Sequence, residues 1–235
     1  MIKIEKVSKT YNKANIINNI SLEIKEGSVF GFLGPNGAGK TTTIKMLVGL
    51  SKPTKGKISI EKKDPIKPKN REKIGFMPED PYFYDHLTGL ELLRFCGQLF
   101  SNFRDKNNGY YLNILRSVGL IDVKNKMIRH YSKGMKQRLG IATAIVNDPD
   151  YIFLDEPLDG LDPIGRREIK KIILKLKSQK KTIFFNSHIL SDVEEICDAI
   201  GIIDGGKLIY SGTVKRFKKN KTLEEAFVET LEKDE

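Results

Sequence analysis

Apolar and polar residues change rhythm several times along the chain, and each change predicts an element. "MIKIEKV" alternates with period two, and the denser run "VFGFLG" ends in glycine, as a buried strand does before a loop. Short strands are therefore predicted over residues 2–7 and 20–33, with a helix after the loop. Strand patterns return at "GKISI" and "KIGFM", on either side of a Lys/Pro-rich connection. From residue 88 to about 146 the pattern becomes helical, opening on the capping-box pair Thr88 and Glu91 and ending before "NDPD". This segment predicts a helical lobe inserted at about 82–147.

The second half alternates strand and helix: "YIFLDEP", then "PIGRREIKKIILKLKSQ", "KTIFFNSH" and "ILSDVEEICDAI". The strands "IGIID" and "KLIYSG" follow, joined by Gly205-Gly206, and "TLEEAFVETLEKDE" reads as a short amphipathic helix. Such alternation predicts an α/β domain with a mostly parallel sheet covered on both faces. One domain is expected over residues 1–220, with a C-terminal amphipathic tail over 221–235.

Composition narrows the class. Of 235 residues, 39% are hydrophobic and 30% charged, and no apolar run approaches the roughly 18 residues of a membrane span. The N-terminus lacks the apolar core and cleavage site of a signal peptide, so a cytoplasmic location is expected. Cys96 and Cys197 lie far apart and outside any C-x-x-C pair, which argues against metal ligation and redox chemistry and for packed thiols. The net charge of +11 comes from 41 basic against 30 acidic residues. The basic residues are mostly lysines spread along the chain, which favours a solvated surface; no nucleic-acid partner is expected.

Chemistry concentrates in four places. "GPNGAGKTT" (Gly34, Pro35, Asn36, Gly37, Ala38, Gly39, Lys40, Thr41, Thr42) fits the G-x-x-x-x-G-K-[ST] pattern between a predicted strand and a predicted helix. Its glycines let successive N–H groups face a β-phosphate, Lys40 reaches the terminal phosphates, and Thr41 offers its hydroxyl to magnesium. The pattern predicts binding of a nucleoside triphosphate. "YIFLDEP" places Asp155 at a sheet edge to hold the metal, and Glu156 beside it to polarise an attacking water. His188 lies just past another apolar strand, at the same edge. In "YSKGMKQR", Ser132, Gly134 and the amides of the following helix suit an anion, although the turn contains no metal ligand, nucleophile or base.

Taken in order, these motifs resemble the nucleotide-binding subunit of an ATP-binding cassette (ABC) transporter. The likeness runs from Tyr11 to about Gly212: an N-terminal aromatic, the P-loop, "MPED", "YSKGMKQR" as the signature, "YIFLDEP", "LDGLDP" with Asp162, and the His188 switch. The resemblance implies a P-loop NTPase fold of ABC type, with an N-terminal antiparallel β subdomain beside the parallel core and an inserted α-helical lobe. It implies ATP and Mg2+ as ligands, catalysis by Lys40, Glu156 and His188, and a metal site of Thr41, Asp155 and Glu79. Tyr11 would stack on adenine, and Asp162 would join the ATP site.

It further implies that Ser132 and Gly134 close over the γ-phosphate held by a second subunit, in a head-to-tail dimer. Transmembrane permease subunits would hold the protein at the inner face of the cell membrane. Two departures from the family pattern stand out: Lys133 replaces a glycine of the signature, and Glu79 replaces a glutamine that touches magnesium. The signature variant and the C-terminus resemble the drug, antibiotic-peptide and polysaccharide exporter branch. The rival expectation is a soluble ABC-type ATPase acting on DNA or ribosomes. It is disfavoured by a lobe too short for a coiled-coil arm and by a single cassette. Tyr82, Phe83 and Tyr84, following Glu79, are expected to form a docking surface for the permease. His86 and His130 have no convergent partners.

Overall fold

The computed structural model describes residues 1–232; the last three residues of the C-terminal segment lie outside the described residues. Alternation at the N-terminus yields β1 (Ile2–Tyr11), which runs past its predicted end at 7, β2 (Ala14–Ile24), which begins before its predicted start at 20, and β3 (Val29–Leu33). Asn12 and Lys13 both adopt positive φ, 45° and 69°, the geometry of a two-residue hairpin turn. Because the pair lacks glycine, its sequence did not announce the turn. The predicted run over 20–33 is cut at Gly27, φ 68°, where the chain leaves one sheet for another.

With β4 (Lys55–Ile60), the first two strands form an antiparallel sheet of order β2-β1-β4. The second sheet adds β5 (Ile74–Met77), β6 (Tyr151–Leu154), β7 (Thr182–Ser187), β8 (Ala199–Asp204) and β9 (Lys207–Thr213) in the order β5-β6-β7-β3-β8-β9. All of its pairs are parallel except β8 with β9, which turn at Gly205-Gly206. β3, β6 and β7 are buried throughout, as near-continuous apolar strands of a covered parallel sheet should be.

The two faces of that sheet serve two cores. Phe30, Phe32, Phe153 and Phe184 pack with α1 (Lys40–Leu47) and the antiparallel sheet. Leu33, Leu154 and Phe185 pack on the other face, with the lobe helices α2 (Gly89–Gln98), α3 (Asn108–Ser117) and α4 (Lys133–Ala144). The lobe therefore shares its core with the sheet. Thr88 and Glu91 form the predicted capping box at the start of α2.

On the same side lie α5 (Pro163–Ser178) and α6 (Leu190–Ile196). The latter ends earlier than the 189–200 span predicted, because Asp198 exchanges two hydrogen bonds with Val29 at the start of β3, its N–H donating to the Val29 carbonyl and its Oδ2 accepting from the Val29 N–H, both at 2.9 Å. After α7 (Val214–Lys218), α8 (Leu223–Glu232) is no free tail. Leu223 and Ala226 are buried, and the Leu223 N–H donates to Glu194 Oε2 of α6 at 3.0 Å.

Two further expectations are settled by packing. The three consecutive aromatics divide: Tyr82 is 93% exposed and Tyr84 50%, whereas Phe83 is 8% exposed and belongs to the core. Phe83 is thus corrected from docking residue to core residue, because a chain passing over the lobe turns successive side chains to different sides. Both thiols are free, and burial pushes Cys96 up to about 11 and Cys197 well above its ordinary value.

Candidate functional site

Strand order decides what meets at the carboxyl edge of the parallel sheet. β6, β7 and β3 are neighbours, with Leu154 opposite Phe185 and Leu33 opposite Ser187, so the segments leaving them emerge side by side. Those segments are Asp155-Glu156, His188 and the loop Gly34–Gly39. The loop is pressed between two strands: a Cβ on Gly34 would fall 2.2 Å from the Ile203 carbonyl oxygen, and one on Gly39 would fall 2.4 Å from Ile17 Cδ1. Gly39 also takes φ 107° as it opens α1, and no side chain caps that helix start. Its first amides and the positive end of its dipole thus face the cleft without a side-chain partner.

Around this helix start the polar groups interlock. Lys40 is buried and its Nζ donates to the carbonyls of Gly34 at 2.9 Å and Pro35 at 3.3 Å, while lying 3.5 Å from Glu156 Oε1. Asp155 Oδ1 accepts from Thr41 Oγ1 at 3.3 Å and from Asn186 Nδ2 at 2.7 Å. Burial pushes the Asp155 carboxyl up, the bonds from Asn186 and Thr41 pull it back, and Glu156 pushes it up again. Glu156 sits at φ 46°, a left-handed conformation that a non-glycine residue holds only when its surroundings impose it. Its Oε2 lies 3.0 Å from His188 Nδ1, and His188 Nε2 lies 3.9 Å from Asp159 Oδ1.

A cleft of about 640 Å³ opens over these groups. Asn36, Gly37, Gly39, Lys40, Thr41 and Thr42 form its floor, and Glu79, Glu156, Asp159 and His188 its acidic and imidazole wall. Glu79 titrates above its ordinary value, first through burial and then through Asp155, Glu156, Asp80 and Asp159. Among the described residues no group of three or more His, Cys, Asp or Glu is arranged to hold a metal by itself.

Other predicted site residues stand apart from this cleft. Ser132 caps α4, its Oγ accepting from the Met135 N–H at 3.3 Å, and Gly134 lies in the first turn of that helix. Lys133 turns toward its own chain, its Nζ 3.6 Å from Asp159 Oδ2. Asp162 caps α5, with Oδ1 accepting from the Gly165 N–H at 2.7 Å. Tyr11 ends β1; its hydroxyl and Ser51 Oγ share a hydrogen bond at 2.9 Å, and Lys9 Nζ lies 4.5 Å above its ring. None of Tyr11, Ser132, Gly134 or Asp162 lines the cleft, whereas Ile16 of β2 does.

Four residues that sequence reasoning did not single out join the site. Asn186 braces Asp155 from the end of β7, a polar residue in an apolar strand two positions before His188. Asp159 lies between the "DEP" carboxylates and Asp162, where only its charge in a turn marked it. Ile16 had no signal beyond strand alternation. Buried Gln137, in the helix after the signature, donates from Nε2 to the Glu79 carbonyl at 3.4 Å and ties α4 to the segment after β5.

Known proteins resemble this chain in both sequence and shape. The model of the ABC transporter family matches residues 17–159, more than half of the chain. A lantibiotic transport ATP-binding protein, SrtF of Streptococcus pyogenes, is 39% identical over 227 residues, covering 97% of this chain and 96% of SrtF. The bacitracin transport ATP-binding protein BcrA of Bacillus licheniformis is 41% identical, covering 93% of this chain and 72% of BcrA. An ABC transporter ATP-binding protein of Synechocystis is 46% identical over 204 residues, 86% of this chain; the match spans 58% of that longer relative. A solved ATP-binding subunit of an ABC transporter superposes with a TM-score of 0.86 at 29% identity, covering 98% of this chain and 99% of the other. An ATP-binding cassette solved as a dimer with ADP and Pi superposes with a TM-score of 0.83 at 26% identity, covering 91% and 99%. With the family model matched over more than half of its length and relatives 39% and 41% identical covering nearly all of it, the chain belongs to the ABC transporter family as an ATP-binding cassette.

Proposed function

We propose that this chain binds Mg2+-ATP, hydrolyses it and powers an ABC exporter as one half of an ATP-sandwich dimer. The observation that carries the reading is a division of labour. Lys40, Thr41, Glu156 and His188 converge on one cleft, with buried Asp155 bonded to Thr41, while the other anion-receptive helix start, at Ser132 and Gly134, lies outside it. A second copy placed head to tail would bring its Ser132 and Gly134 over the open side of the cleft. ATP would then be enclosed by both copies. SrtF and BcrA, matched over nearly the whole chain, are named for lantibiotic and bacitracin transport, which supports export of a peptide-like compound.

The cleft's own residues supply the steps. The Gly34–Gly39 loop and the amides of α1 cradle the β-phosphate, and Lys40 Nζ exchanges the Gly34 and Pro35 carbonyls for phosphate oxygens. Thr41 and Asp155 offer hard oxygens 3.3 Å apart, which suits a cation that takes its remaining ligands from phosphates and water. Bound there with the nucleotide, magnesium would neutralise charge on the terminal phosphates. Glu156 accepts a proton from the attacking water, and His188, 3.0 Å from its Oε2, holds that carboxylate in place.

Docking to the permease would use Tyr82 and Tyr84, exposed just after Glu79, with the half-exposed Phe95 in edge contact with Tyr84 at 5.8 Å. Such rigid aromatic area is typical of interfaces. Among the described residues no helix is long and apolar enough to cross a membrane. Attachment at the inner face of the membrane would therefore run through the permease.

Light scattering on purified Glu156→Gln, with and without Mg2+-ATP, tests the reading. A dimer that appears only with nucleotide is expected. A monomer under both conditions contradicts a shared site.

A further inference from the structure

Between the signature turn and the P-loop of the same chain runs an unbroken sequence of polar side-chain contacts. Lys133 Nζ lies 3.6 Å from Asp159 Oδ2, and Asp159 Oδ1 lies 3.9 Å from His188 Nε2. His188 Nδ1 then meets Glu156 Oε2 at 3.0 Å, and Glu156 Oε1 lies 3.5 Å from Lys40 Nζ. The path of Lys133 is built into the turn it crosses: a Cβ on Gly160 would fall 1.9 Å from Lys133 Nζ, so any larger residue there would displace the lysine from Asp159. Gly134 approaches the same turn, where an added Cβ would rest 3.7 Å from Leu161 Cδ2.

We propose that Lys133 is a positioning residue held by Asp159 of its own chain and handed to the γ-phosphate of a second copy when the dimer closes, so that ATP in one site resets Asp159, His188 and Glu156 of the other. This rests on the shared-site reading above. Lys133 opens the very helix that would face the second copy's nucleotide, and its flexible stem would let it turn from one anion to the other. Both members of the pair are about half exposed, at 54% and 44%, and exposed ion pairs shift equilibria by only a few-fold. A contact so weakly held is easily exchanged for a phosphate bearing more negative charge. Once Lys133 leaves, Asp159 faces His188 alone, and its carboxylate competes with Glu156 for the imidazole.

Steady-state hydrolysis against ATP concentration, on the purified chain, tests this with Lys133→Ala, Asp159→Asn and the double variant. Wild type is expected to show cooperative ATP dependence, with a Hill coefficient above 1. Each single variant should lose cooperativity and about two- to fivefold in kcat, and the double variant should be no worse than either single one, as groups acting through one contact behave. The charge-swapped pair Lys133→Asp with Asp159→Lys should restore an intrachain contact without the hand-over, leaving the Hill coefficient near 1. Melting temperatures confirm that each variant is folded. Additive losses in the double variant would show instead that Lys133 and Asp159 act separately. Unchanged cooperativity in both single variants would overturn the proposal. A wild-type chain that hydrolyses ATP without dimerising would instead contradict the shared site itself.

Discussion

Two helix starts in this molecule are built for an anion, and they differ in everything around them. α1 opens at Gly39 with no side-chain cap; Lys40, Thr41, Glu156 and His188 line the cleft at its mouth, and buried Asp155 is bonded to Thr41. α4 opens at Ser132, capped by that serine, with Lys133 paired to Asp159 and Lys136 to Asp85 beside it. The first has a carboxylate, an ammonium and a pair of oxygens 3.3 Å apart within a few ångströms. The second has a positive end and little else. On the reading proposed above, the two starts are halves of one site, so that a complete site would require two copies with nucleotide as the bridge between them.

The largest expected effect comes from removing the base at the complete end. Glu156→Gln should bind Mg2+-ATP as tightly as wild type and lose about 10²- to 10⁴-fold in kcat, the usual contribution of a positioned general base. Wild-type turnover in that variant would place the base elsewhere. Lys40→Ala attacks the same end through binding: it removes the one cation aimed at the terminal phosphates and should weaken ATP affinity by about 100-fold or more in equilibrium binding. Unchanged affinity would erase the contrast between the two helix starts.

The junction between the two ends separates packing from docking. Phe83→Ala should destabilise the fold by about 3–5 kcal/mol in denaturant titration, since it empties a core position. Tyr82→Ala with Tyr84→Ala should leave stability within about 1 kcal/mol and impair recovery of the chain with its permease. Equal destabilisation by both changes would contradict the division seen among the three aromatics.

The smallest effect concerns Glu79, between the two ends. Its folded-state pKa is raised, so its contribution to stability is fully present below the ordinary carboxylate pKa and lost as pH rises through the raised value. Glu79→Gln should therefore melt slightly higher than wild type near neutral pH and no higher in acid. A shift independent of pH would mean that Glu79 acts through shape alone.

Legibility in the sequence followed the same division. The P-loop, Asp155-Glu156 and His188 could be placed because each is a short polar signal at the end of an apolar strand, and the parallel order brings those ends together. The hairpin at Asn12-Lys13 was hidden because positive φ was taken there by residues other than glycine. Phe83 could not be told from Tyr82 and Tyr84, because the burial of adjacent aromatics depends on how the lobe folds over them. Asn186 and Asp159 act through partners more than 25 residues away in sequence, Asp155 and His188 respectively, and no local pattern reports such contacts. The direction of Lys133 was likewise set by a carboxylate distant in sequence, that of Asp159.

The central claim is that one ATP site is built from two copies, and mixing two inactive variants tests it most directly. Gly134→Asp should fold, because a Cβ there meets only Leu161 at an ordinary 3.7 Å and an acidic residue suits a helix start. Its carboxylate would nevertheless repel a γ-phosphate. Lys40→Ala and Gly134→Asp should each hydrolyse almost no ATP alone. Mixed in equal amounts they should regain up to about a quarter of the wild-type rate, since half of randomly formed dimers hold one intact site of two. No recovery from two folded variants would contradict the account.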